Sequence, residues 1–138
     1  MKRNATAVWH GTGKDGKGVI STQSEVLKET AYSYKTRFEE GTGTNPEELV
    51  AAAHAGCFTM KLAFNIDSAG YEADRLETTC TIELKEGSIT NSYLKIIAKI
   101  PGIHKTKFDE LVTDAEKNCP ISKLLNTAIS VDAQLVED

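Results

Sequence analysis

Apolar residues recur at helical spacing through one long stretch, residues 45–70 (NPEELVAAAHAGCFTMKLAFNIDSAG), and at alternating spacing over much of the rest of the chain. Within that stretch Leu49, Ala53, Cys57, Met60 and Phe64 fall on one helix face. Phe58, Leu62 and Ile66 populate the other side, which leaves His54, Lys61 and Asn65 as a narrow polar strip. A helix apolar nearly all round is a buried helix. Its ends are marked as well. Asn45 is a good N-cap, Pro46 suits the first helical position, Glu48 stands where it can complete a reciprocal cap, and Gly70 supplies the stop.

Ahead of this helix, residues 3–10 alternate weakly and predict a strand, with the glycine-rich residues 11–18 (GTGKDGKG) as a hairpin tip and VISTQ as the returning strand. The four glycines do not spell a phosphate loop, because no strong helix follows and the Lys-Ser/Thr ending is missing. Residues 31–39 (AYSYKTRFE) alternate Tyr32, Tyr34 and Thr36 against Ser33, Lys35 and Arg37, and predict a third strand. After the helix, Leu76, Thr78, Cys80, Ile82 and Leu84 share one face of a strand. An EGS turn leads to another strand, with Leu94, Ile96, Ala98 and Ile100 on one face. Thr106, with Asp109 three residues on, predicts the cap of a helix striped by Phe108, Leu111, Val112 and Ala115. Asn118-Cys119-Pro120 interrupts that helix, and Pro120 opens a short one through Ile121, Leu124 and Leu125. Ile129, Val131, Ala133 and Leu135 alternate as a last strand.

The order β-β-β, long helix, β-β, helix, short helix, β predicts an α+β fold with mostly antiparallel sheets around a long central helix, in one domain over residues 1–138. The first three strands are thinly apolar, and one chain of this size supplies too little sheet to wrap the long helix. A homodimer in which the partner helps bury that helix is therefore expected.

Composition acts mainly by exclusion. With 40% hydrophobic and 26% charged residues the chain is an ordinary globular one. No apolar run approaches the roughly 18 residues of a membrane span. The start, MKRNATAVWH, carries no apolar region after its basic residues, so a secretory signal is not expected and the cytoplasm is. A net charge of −4 argues against nucleic acid and anionic membrane as partners.

The three cysteines need separate readings, since an odd, widely spaced set is not a disulfide scaffold. Cys57 lies mid-helix in an apolar setting, where burial alone leaves a thiol inert. Reactivity requires a nearby cation. His54 points onto the polar strip, whereas Arg37, just before the loop into the helix, is the better candidate, beside the plainer reading of a solvated strand-end charge. Cys119 stands at the start of the Pro120 helix, where backbone N–H groups and the helix dipole favour thiolate, so it can serve as an attacking or leaving thiol. Cys80 reads as core. Zinc held by Cys57, Cys119 and His54 or His104 lacks any paired ligand spacing. Glu47 has no structural task of its own. At ten residues before Cys57, roughly 15 Å along a straight helix, it cannot touch the sulfur but can hold an arginine that does.

These residues carry a resemblance. The run GTNPEELVAAAHAGCFTMKL, with TRFEEG before it and KNCPISKLL near the end, closely resembles the OsmC branch of the OsmC/Ohr family of hydroperoxide reductases. The WHGTGKDGKGVIST opening, the IPGI turn and the last strand also fit, so the resemblance covers nearly the whole chain. It implies a thiol-dependent peroxidase for organic hydroperoxides, built as an intertwined homodimer with its sites at the subunit interface. By the same resemblance Cys57 matches the peroxidatic cysteine, Cys119 the resolving cysteine, Arg37 the arginine that activates the thiolate, and Glu47 the carboxylate that orients the arginine. The TRFE run places this arginine as the OsmC branch does; the Ohr branch takes it from nearer the N-terminus, where Arg3 looks too early. Cys80 has no counterpart. The implied cycle passes through a Cys57 sulfenic acid and a Cys57–Cys119 disulfide, which an outside dithiol of lipoyl type reduces. It requires no metal, flavin or haem. Met60 and Phe64 read either as plain core or as the reason organic peroxides are preferred. The competing class is a small-molecule binder or thiol hydrolase on the same fold. The two cysteines disfavour it, because a binder needs neither and a hydrolase only one.

Overall fold

The structure is a computed structural model and describes residues 1–38 and 42–137. It comprises two compact units, Met1–Leu49 and Val50–Asp138.

In the first unit β1 (Ala5–His10), β2 (Lys17–Thr22) and β3 (Thr30–Tyr32) form an antiparallel sheet in that order. The glycine-rich stretch is the tip of the β1–β2 hairpin, closed by the Gly16 N–H on the Thr12 carbonyl at 2.8 Å. Gly18 is required on the sheet itself. A Cβ there would lie 2.5 Å from both the Trp9 and the Tyr32 rings, which meet over it with centroids 5.3 Å apart.

The expected third strand is corrected. It ends at Tyr32, and Tyr34–Phe38 form a short helix, α1; Glu39, the end of the expected strand, lies outside the described residues. The reason is local. The Ser33 N–H donates to Thr36 Oγ1 at 2.7 Å, and the Thr36 hydroxyl donates back to the Ser33 carbonyl at 2.9 Å. This side-chain turn outcompetes a period-two pattern only a few residues long.

The long helix, α2, spans Pro46–Ser68. Asn45 caps it, its Oδ1 accepting the Glu48 N–H at 2.7 Å. Glu48 does not return the bond to Asn45; its Oε2 accepts the Thr44 hydroxyl at 2.8 Å. Gly70 ends the helix with φ +89°, and the Tyr71 N–H reaches back to the Ile66 carbonyl at 3.1 Å.

In the second unit β4 (Arg75–Lys85) and β5 (Ser88–Lys99) form a long hairpin. Its two-residue turn places Glu86 and Gly87 at φ 52° and 80°, the left-handed pair that matches strand twist. Then come α3 (Lys105–Asn118), α4 (Pro120–Leu124) and β6 (Ala128–Leu135). β6 pairs with β5 in parallel, so β5 is central and the sheet is mixed. The crossover through α3 and α4 allows the parallel return. The expected cap of α3 at Thr106 is also corrected: the helix begins at Lys105, with His104 at the cap position and no side-chain capping bond.

Phe58, Leu62 and Ile66 of α2 join Leu94, Ile96 and Ala98 of β5 and Phe108, Val112 and Ala115 of α3 in one core. Each large side chain fully removed from water contributes about 1.5–3 kcal/mol. Two expectations about α2 change here. By length and composition it is long and apolar enough to cross a bilayer, although its His54, Phe58, Leu62 and Ile66 edge is spent on the core. Its other face is open, with Met60 and Phe64 64% and 63% exposed, so neither is core within the chain.

Candidate active site

Two groups of side chains stand out, one in each unit. In Met1–Leu49, Arg37 projects from α1 and its Nε donates to Glu47 Oε1 at 2.6 Å. The Glu47 side chain is 12% exposed and the Arg37 side chain 44%. Arg37 also lies over the Phe38 ring, with 5.1 Å from guanidinium carbon to centroid. Glu47 Oε2 is buried and has no hydrogen-bond partner among the described residues. A buried carboxylate oxygen without a partner costs free energy. Glu47 reaches this position from the first turn of α2, next to Glu48, whose backbone N–H donates to Asn45 and whose carboxylate accepts the Thr44 hydroxyl.

In Val50–Asp138, Cys57 lies in the middle of α2 and is half-buried, whereas Cys119 is fully buried at the break between α3 and α4. Pro120 forces that break, and Cys119 takes an extended ψ of 127°. The break brings Cys119 beside Cys57, close enough to shift its ionisation. Burial raises the Cys57 pKa, the neighbouring Cys119 raises it further, and the backbone N–H of Ile121 opposes the rise. Both thiols are free. Left to these neighbours, Cys57 stays a thiol at neutral pH and needs a cation to ionise.

Cys80, half-buried on β4, lies 3.3 Å from the Ser92 hydroxyl, and burial raises its pKa. His54 departs from the expected polar strip. It is fully buried, with Nδ1 2.6 Å from Ser92 Oγ and Nε2 2.7 Å from Ser122 Oγ, and burial lowers its pKa. The sequence held a signal for this. His54 continues the Phe58, Leu62, Ile66 series at four-residue steps, and Ser92 continues the inward alternation of Leu94, Ile96 and Ala98. Two polar residues in facing apolar rows are partners. The remaining strip residues face α3, where Asn65 Nδ2 donates to Asp114 Oδ2 at 2.8 Å.

The structure therefore pairs Cys57 with Cys119 and Arg37 with Glu47. A helix thiol meeting a second thiol at a helix break, on an α+β scaffold, makes this a two-thiol protein. Residues 39–134 match the family described as OsmC-like protein, and the chain belongs to that family. Over 98% of its length it is 40% identical to Peroxiredoxin OsmC of Escherichia coli strain K12, covering 97% of that protein. The fold matches the crystal structure of an OsmC-like protein from Mycoplasma pneumoniae with a TM-score of 0.79 over 99% of both chains, at 16% identity. It also matches the organic hydroperoxide resistance protein OhrB of Bacillus subtilis with a TM-score of 0.64 at 26% identity, over 96% of this chain and 98% of that one.

Proposed function

We propose that the protein is a thiol-dependent peroxidase that reduces organic hydroperoxides to alcohols in antioxidant defence. The observation that carries this reading is the Cys57–Cys119 thiol pair, in a chain 40% identical to a peroxiredoxin.

In the proposed cycle the Cys57 thiolate attacks the distal peroxide oxygen. The O–O bond breaks, the alkoxide leaves and takes a proton as alcohol, and Cys57 becomes a sulfenic acid. Cys119 then displaces the sulfenic hydroxyl as water, giving the Cys57–Cys119 disulfide. An outside dithiol, of lipoyl type by family resemblance, reduces the disulfide by exchange. Arg37 supplies the cation that Cys57 lacks among its own neighbours and stabilises charge on the departing oxygen, with Glu47 as its positioning residue.

The whole chain acts as one functional domain in a cytoplasmic homodimer. The open α2 face, with Met60 and Phe64 64% and 63% exposed, supports a second copy as its cover. The test is steady-state turnover of cumene hydroperoxide with a dithiol reductant. Cys57→Ser should abolish turnover with the fold intact, and retained activity would sink the assignment.

A further inference from the structure

The Val50–Asp138 unit holds a second buried polar cluster that the proposed cycle does not use. His54 and Ser92 are fully buried and Ser122 is 8% exposed. Four elements contribute: Ser122 from α4, His54 from α2, Ser92 from β5 and Cys80 from β4, in one continuous hydrogen-bonded row. Burial favours the neutral imidazole, which carries one N–H, so His54 donates to one of the two serine hydroxyls and accepts from the other. The Ser92 hydroxyl also lies 3.3 Å from the Cys80 sulfur.

Each member of the row has a hydrogen-bond partner, so loss of one member leaves a buried polar atom unpaired. His54 stands one helical turn before Cys57 on α2, and Ser122 three residues after Cys119 on α4. The Nε2–Oγ bond thus ties α2, which carries Cys57, to α4, which begins directly after Cys119. α4 is otherwise thinly held: it has five residues, its Leu124 is 73% exposed, its apolar anchor in the core is the partly buried Ile121, and the Ile121 backbone N–H at Cys57 is its other link to α2.

We propose that the Ser122–His54–Ser92 bridge positions Cys119 for attack on oxidised Cys57, and so sets how often Cys57 is captured as a disulfide rather than oxidised further. This rests on the peroxidase cycle above. In the capture step the Cys119 sulfur attacks the Cys57 sulfur, the S–S bond forms as the S–O bond breaks, and the hydroxide leaves as water with the Cys119 proton. In the competing step a second hydroperoxide transfers an oxygen to the sulfenic acid, giving a sulfinic acid and a second alcohol. A disulfide tolerates little error in placement, so the capture rate depends on how long Cys119 stays in register.

The test is a cumene hydroperoxide titration of turning-over enzyme, with Cys57 sulfinic acid read by peptide mass. In Ser122→Ala the concentration that converts half of Cys57 should fall about tenfold, the scale of one lost buried hydrogen bond. Ser122→Thr, which keeps the hydroxyl, should recover it. Ile66→Val, which thins the core away from the bridge, should leave it unchanged. A Ser122→Ala protein as resistant as wild type overturns the proposal, as does an equal shift in Ile66→Val or no recovery in Ser122→Thr. If the wild type forms no Cys57–Cys119 disulfide, the peroxidase cycle itself fails; if it does and Ser122→Ala matches it, only the positioning role fails.

Discussion

Removing Glu47 should cost activity without costing stability, an uncommon combination for a carboxylate whose side chain is only 12% exposed. The bond at stake is the 2.6 Å contact from Arg37 Nε to Glu47 Oε1. A hydrogen bond to a charged partner is worth about 1.5–3 kcal/mol. Arg37 is 44% exposed, so solvent screening brings this pair to about 1–1.5 kcal/mol. Against this, Glu47→Ala also removes the buried Oε2, which has no partner among the described residues and whose desolvation costs about 1–3 kcal/mol. The two effects offset, and the unfolding midpoint should hardly move. The activity should. If Glu47 acts by holding Arg37, about 1–1.5 kcal/mol of lost restraint lowers kcat/KM for cumene hydroperoxide roughly five- to tenfold. Arg37→Ala, which removes the cation, should cost about a hundredfold or more. The double variant decides the matter, because with Arg37 absent Glu47→Ala should cost nothing further. Additive losses would refute the holding role, and an unchanged kcat/KM in Glu47→Ala would refute any role.

Two further outcomes follow from the titratable groups. Cys119 raises the Cys57 pKa, so Cys119→Ala should move the alkylation profile of Cys57 to lower pH, measured by iodoacetamide kinetics in a Cys80→Ser background. A profile displaced to higher pH would contradict the thiol–thiol contact. His54 is held below its ordinary value of 6.5; as pH falls through that value the unfolded chain takes up a proton the folded chain refuses, and stability drops. Denaturant titrations at pH 7.5 and 5.5 should show a larger loss for wild type than for His54→Gln, and equal losses would mean that His54 is not buried neutral.

The features legible in the sequence are those decided within a few residues. Asn45, Pro46 and Gly70 mark the ends of α2 because caps act locally, and the alternation through Leu94, Ile96 and Ala98 fixes the inward face of β5. The failures have physical causes of three kinds. In residues 33–36 a side-chain turn defeated a short alternation. Along α2 a nearly uniform apolar surface left His54 on the wrong side of the helix, because its partners Ser92 and Ser122 lie far away in the chain. At β6 the alternation was correct but carries no direction, so the parallel pairing with β5 was not readable from it. The site divides the same way. Residue chemistry could single out Cys57, Cys119, Arg37 and Glu47, and could suggest Glu47 as the holder of an arginine, but nothing in their spacing pairs the two cysteines. Only the family resemblance did so in advance.

The central claim is that Cys57 and Cys119 form one redox unit. The most direct measurement is intact mass and peptide mapping after one equivalent of cumene hydroperoxide. Loss of two hydrogens, mapped to a Cys57–Cys119 disulfide with Cys80 still free, is the predicted result. An unchanged mass, or a disulfide that takes in Cys80 instead, would contradict it.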